Sequence, residues 1–99
     1  MRQAVTQEEL EEAAGMFAAL ADPARLKILL RLGPGEMSVS DLTDALGEKL
    51  TTVSARLKVL YGARLVGRMR RGKQVFYHLA DDHVMALVAS AVDHACEDH

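Results

Sequence analysis

Residues 38–61 read Ser38-Val39-Ser40-Asp41-Leu42-Thr43-Asp44-Ala45-Leu46-Gly47-Glu48-Lys49-Leu50-Thr51-Thr52-Val53-Ser54-Ala55-Arg56-Leu57-Lys58-Val59-Leu60-Tyr61. Leu42, Ala45 and Leu46 recur at helical spacing behind a serine, Ser38 or Ser40, that can cap the helix start. Gly47 suits the left-handed residue with which helices commonly end. A further helix is predicted over about Thr51–Tyr61, with Val53, Leu57 and Leu60 turned inward. Thr51, Thr52, Ser54, Ala55, Arg56 and Lys58 fill its other positions. Two short helices across a tight glycine turn, the second polar and basic outside its apolar stripe, form a helix-turn-helix pattern.

Towards the C-terminus, Leu65–Arg70 and Lys73–Leu79 read as strands on either side of Arg71-Gly72. Val75, Tyr77 and Leu79 alternate with Phe76 and His78, the period of two that a strand requires. A basic hairpin directly behind a helix-turn-helix is a wing. Towards the N-terminus, Thr6-Gln7-Glu8-Glu9 has the form of a capping box and opens a helix over about residues 7–20. Leu10, Ala13, Ala14, Phe17 and Leu20 are its apolar positions. Asp22 and Pro23 suit the cap and first position of a heavily apolar second helix, which Gly33-Pro34-Gly35 ends. After the hairpin, Asp81 or Asp82 caps a last helix with a stripe of Val84, Leu87, Val88, Ala91 and Val92. No repeat or linker divides the chain, so residues 1–99 read as one winged helix-turn-helix domain, mainly α with a small β-hairpin. At this size a homodimer interface formed by the terminal helices would help to complete the core.

The formal net charge of −2 conceals an asymmetry. Lys49 to Ala80 holds eight basic and no acidic residues, while the remainder holds four basic and fourteen acidic ones. A patterned basic segment inside an acidic chain is the footprint of a polyanion-binding face, and double-stranded DNA is the expected partner. Arg56 is the strongest direct reader, by bidentate contact to guanine. Thr51, Thr52 and Ser54 can meet bases or phosphates near the helix N-terminus, with Ala55 and Lys58 beside them. Arg70, Arg71 and Lys73 at the wing tip are placed to grip the backbone or minor groove. A dimer would hold two such helices about 34 Å apart, so the operator should be an imperfect inverted repeat.

Other classes fall away. No apolar run nears the roughly 20 residues of a membrane span, and Met1-Arg2-Gln3 does not begin a secretory signal. A lone cysteine, Cys96, excludes an internal disulfide and fits a reducing cytoplasm. The expected location is cytoplasmic, with neither a membrane nor a small organic substrate as partner.

Asp81, His83, His94 and Glu97 are expected to lie within the last helix. His83 and His94 are 11 residues apart, close to three turns, so both imidazoles project from one side. Along the axis they are about 16 Å apart, whereas zinc ligands lie about 2.0–2.2 Å from the ion. One copy cannot close the site. Two antiparallel copies can, each site taking His83 with Asp81 or Asp82 from one chain and His94 and Glu97 from the other, a choice of aspartate that helix geometry leaves open. Two imidazoles and two carboxylates form a closed tetrahedral set for Zn2+; Co2+ fits the same donors, and Ni2+ needs more. Four protein ligands leave no position for a hydrolytic water, which argues against an enzyme.

These residues resemble the ArsR/SmtB family of metal-sensing repressors over nearly the whole chain. Ala21-Asp22-Pro23-Ala24-Arg25-Leu26-Lys27-Ile28-Leu29 resembles the family's early helix signature, and Val53-Ser54 with Leu57 and Leu65-Val66 its recognition helix and wing. Asp81-x-His83 followed by His94-x-x-Glu97 is similar in type and spacing to the C-terminal zinc site of the SmtB-like branch. The resemblance implies a winged-helix homodimer that represses when metal-free and leaves DNA when zinc binds. It also implies that a backbone carbonyl near Arg64 accepts from the His94 ring. Met37-Ser38-Val39-Ser40-Asp41 lacks the cysteines of arsenite, cadmium and lead sensors, and Ala55 stands where many relatives carry histidine. Cys96 and His99 leave a nickel-responsive repressor as an alternative, beside one responding to cobalt at the same four donors and a winged-helix repressor not regulated by metal.

Overall fold

The computed structural model describes residues 4–97. Helix α1 (Gln7–Leu20) begins at the expected capping box: the Glu9 N–H donates to Thr6 Oγ1 at 3.1 Å, and the Thr6 N–H donates to the Glu9 carboxylate at 3.0 Å. Helix α2 (Pro23–Leu32) starts where the Arg25 N–H donates to Asp22 at 2.9 Å. Strand β1 (Met37–Ser38) leads directly into α3 (Val39–Leu46). Of the two serines offered as its cap, Ser38 is the one used, its hydroxyl accepting from the Asp41 N–H at 3.0 Å. Gly47 closes α3 with φ 65°, the left-handed geometry that glycine adopts without a Cβ penalty.

Helix α4 (Leu50–Gly62) begins without a side-chain cap at Lys49, so Thr51 lies within the helix. Strands β2 (Val66–Arg71) and β3 (Gln74–Leu79) turn through Gly72, at φ 62°, and Lys73. Helix α5 (Asp82–Cys96) is capped by Asp81, which accepts from the Val84 N–H at 3.2 Å. Asp81 and Glu97 therefore flank the last helix, which corrects the expectation that all four candidate ligands lie within it.

The hairpin belongs to a three-stranded antiparallel sheet of order β1-β3-β2. Two residues of strand carry no periodic signal, which is why β1 is invisible in the sequence. The register pairs Val66 with Leu79, Arg68 with Tyr77 and Arg70 with Val75. These residues share one face, while Gly67, Met69 and Arg71 with His78, Phe76 and Gln74 share the other. Gly67 has a packing reason: a Cβ there would collide with the His78 ring.

Ile28, Leu29 and Leu32 from α2, Leu42 from α3, and Val53, Leu57 and Leu60 from α4 form the centre of the core, joined by Leu65, Val66, Tyr77, Val84 and Val88. The terminal helices are less completely covered. On α1 only Ala19 and Leu20 are buried, while Leu10 and Phe17 are 53% and 59% exposed; on α5, Leu87 is 41% exposed. Phe17, Leu20, Leu26, Leu87, Val88 and Ala91 surround an apolar hollow of about 250 Å3. The radius of gyration, 14.5 Å, exceeds the roughly 13 Å of a compact 100-residue globule. No helix among the described residues is long and apolar enough to cross a membrane.

Candidate functional site

The α3–Gly47–α4 unit is held from beneath by Leu42, Val53, Leu57 and Leu60, all fully buried. Burying that stripe turns the polar positions of α4 away from the core: Thr51, Ala55 and Lys58 are exposed, and Thr52, Ser54 and Arg56 are half-buried. Arg70, Arg71 and Lys73 are exposed at the wing tip. All nine predicted DNA-contact residues thus lie on α4 or the wing, outside the packed interior.

Their charges are not equally available. The Arg56 guanidinium is ion-paired with Glu48, in the turn between α3 and α4. Arg71 makes a two-point contact with the Glu36 carboxylate and lies 4.9 Å from the centre of the Phe76 ring. Pairing across 35 positions cannot be read from composition, so the basic window concealed which arginines carry an acidic partner. The sequence reading also passed over Arg68. Its guanidinium lies 4.1 Å over the Tyr61 ring, and interaction with the Tyr77 hydroxyl holds its pKa above the ordinary arginine value. The available signal was the alternation that puts Arg68 on the same strand face as Arg70.

At the start of α5, His83 Nδ1 lies 3.5 Å from Asp81 Oδ1. At its end, His94 Nδ1 lies 3.2 Å from Glu97 Oε2. Adjacent donors about 2.05 Å from a tetrahedral ion are separated by about 3.3 Å, so each end holds a nitrogen and an oxygen at the spacing of one edge of a zinc site. All four side chains are more than half exposed. Among the described residues no three His, Cys, Asp or Glu side chains form a metal cluster within the chain. The donor chemistry fits as two half-sites. Asp81 is also the cap of α5, so its removal would disturb the start of the helix. Cys96 is exposed beside the second half-site, and His99 lies outside the described residues.

Comparison with known proteins places this geometry among relatives. A family model described as a helix-turn-helix domain matches residues 20–66. The transcriptional repressor SmtB homolog of Synechocystis is 40% identical over 90 residues, spanning 91% of this chain and 68% of that protein. The HTH-type transcriptional repressor SmtB of Mycobacterium tuberculosis is 42% identical over 91 residues, spanning 92% of this chain and 67% of that one. Among solved structures, a homodimeric winged helix-turn-helix DNA-binding domain from Mycobacterium bovis, from a possible ArsR-family regulator, superposes with a TM-score of 0.84. It is 34% identical, and the match covers 100% of this chain and 96% of that one.

Proposed function

The chain belongs to the ArsR/SmtB family of winged-helix transcriptional regulators, and we propose that it is a metal-responsive repressor acting in the cytoplasm as a homodimer. Metal-free, the dimer binds an inverted-repeat operator through α4 and the wing. Metal-loaded, it leaves. The observation that carries the metal reading is the pair of His–carboxylate half-sites at opposite ends of α5, each spaced for one tetrahedral edge.

The exposed apolar residues of α1 and α5 supply the seam. Closing two copies across it with their α5 helices antiparallel brings Asp81 and His83 of one against His94 and Glu97 of the other. Zinc, when held there, supplies a cross-link between donors that neither copy can assemble alone. The residues of the chain do the rest: the Asp81 cap orients one carboxylate, and α5 sets the separation of the two ends. Packing of Val84 and Val88 into the core ties α5 to the elements that carry the reading helix. A coupling of about 3 kcal/mol between the two sites would change DNA affinity more than 100-fold. Cobalt and nickel are the competing effectors, and cobalt suits this donor set better than nickel.

The test is a competitive zinc titration of the purified dimer beside DNA binding to a duplex from the promoter of its own gene. Two ions per dimer and zinc-driven release are expected. His94→Gln should abolish release and leave metal-free binding within about twofold. A variant that still releases with zinc, or a wild type that binds no metal, overturns the sensor reading.

A further inference from the structure

We infer that the cleft between α4 and the inner face of the wing is a seat for a phosphodiester group of duplex DNA, with Arg68 as its anchor. This rests on the proposal that duplex DNA is the partner, and adds a contact that the sequence reading did not assign.

The cleft has a volume of about 510 Å3. Ser54, Lys58 and Tyr61 line it from α4, at spacings of four and three residues that put them on one helical face. Arg68, Arg70 and Tyr77 line it from the wing, on the strand face that the register turns toward them. Three cationic and three hydroxyl-bearing residues line it, and no carboxylate is among the lining residues. That composition selects an anion with several acceptor oxygens. The acid-paired arginines lie elsewhere: Arg56 is held by Glu48, and Arg71, on the opposite strand face, by Glu36.

Arg68 is also held in position. Its guanidinium carbon lies over the Tyr61 ring, 4.1 Å from the centroid, and Tyr77 sits directly across the β2–β3 ladder. The Tyr77 hydroxyl engages part of the guanidinium, and arginine carries five N–H donors, so others remain to meet phosphate oxygens. Restricting the side chain beforehand reduces the ordering that binding would otherwise require. The position matches the ligand. A recognition helix in the major groove brings the gap between helix and wing against a bordering sugar–phosphate strand, where contacts fix register without reading sequence.

The experiment measures fluorescence anisotropy of the full chain on two 30-base-pair duplexes, one of random sequence and one from its own promoter, across a salt series. For Arg68→Gln, the slope of log affinity against log salt should become shallower by about 1 per protomer, equally on both duplexes. Affinity at low salt should fall about tenfold or more. Arg68→Lys, which keeps the charge and loses the stacked fork, should retain the slope and bind more weakly; it also serves if the glutamine variant folds poorly. Tyr77→Phe, which removes a positioning hydroxyl, should weaken binding less than Arg68→Gln, and Arg31→Gln on α2 should match the wild type. An unchanged slope for Arg68→Gln, or a loss confined to the promoter duplex, overturns the seat while leaving DNA binding intact. A wild type that binds neither duplex overturns the DNA reading itself, and the seat with it.

Discussion

In the half of the molecule built from α3, α4 and the wing, Leu42, Val53, Leu57 and Leu60 are fully buried, and two arginines already have acidic partners. Along α1 and α5, Leu10, Phe17 and Leu87 remain 41–59% exposed, and the candidate metal donors stand in twos where four are needed. The first half is complete within one chain. In the proposed dimer, another copy completes the second by supplying the surface and the ligands that one chain lacks. The proposed antiparallel pairing of α5 helices would account for both deficits, although they concern different chemistry. Metal binding and dimer geometry are thereby linked in the proposed regulator.

The sharpest way to break this contrast is to charge the open face. Leu87→Glu would place like carboxylates near the proposed two-fold seam and require each to lose water on association. The dimer dissociation constant should rise at least 100-fold in sedimentation, with promoter binding lost in parallel. Because Leu87 is already 41% exposed in the single chain, the protomer should keep its helical circular dichroism. A variant that remains dimeric at micromolar concentration would place the seam elsewhere.

Leu57→Ala makes the opposite cut. Leu57 is fully buried between the reading helix and the core, so truncation removes about 2–5 kcal/mol from folding stability. The melting temperature should fall by 10 °C or more, while self-association of the molecules that remain folded changes little. If Leu57→Ala and Leu87→Glu gave the same pattern, the division into a self-sufficient half and an open one would be wrong.

How far the sequence made this division visible depends on the range of each interaction. Local chemistry was legible: the Thr6–Glu9 capping box, the Asp22 cap before Pro23, the glycine closure at Gly47 and the hairpin all depend on residues within a few positions. Apolar periodicity placed the stripe of α4 correctly, because Val53, Leu57 and Leu60 meet their partners within the chain. The same periodicity on α1 and α5 could not say that Phe17 and Leu87 face outward, since it records an apolar face and not what covers it. The pairing of Arg71 with Glu36 was hidden for a related reason: β1 brings the acid alongside β3, and a two-residue strand has no period. The histidines and carboxylates proposed as metal donors could be named from the sequence, whereas their placement at the cap, in the helix and beyond its end needed the geometry at Asp81 and Glu97.

The smallest effect is expected where the two halves touch. Arg64 is the one non-glycine residue among those described with positive φ, at 62°, and it stands between the end of α4 and Leu65 at the start of the wing. Its side chain crosses to α1 and pairs with Glu12 at 2.7 Å. Arg64→Gly removes the left-handed penalty of about 1 kcal/mol but frees the unfolded backbone by a comparable amount. The ion pair it deletes is well exposed, and pairs of that kind are screened and add little. The melting temperature should therefore move by less than about 5 °C. Metal-driven release should also persist, within about threefold, because packing of α5 through Val84 and Val88 links the halves more strongly than an exposed pair on α1. If Arg64→Gly and Glu12→Gln each abolished release while stability held, the signal would have to pass from α1 into the end of the reading helix. The two halves would then be joined at the Glu12–Arg64 contact rather than through the core.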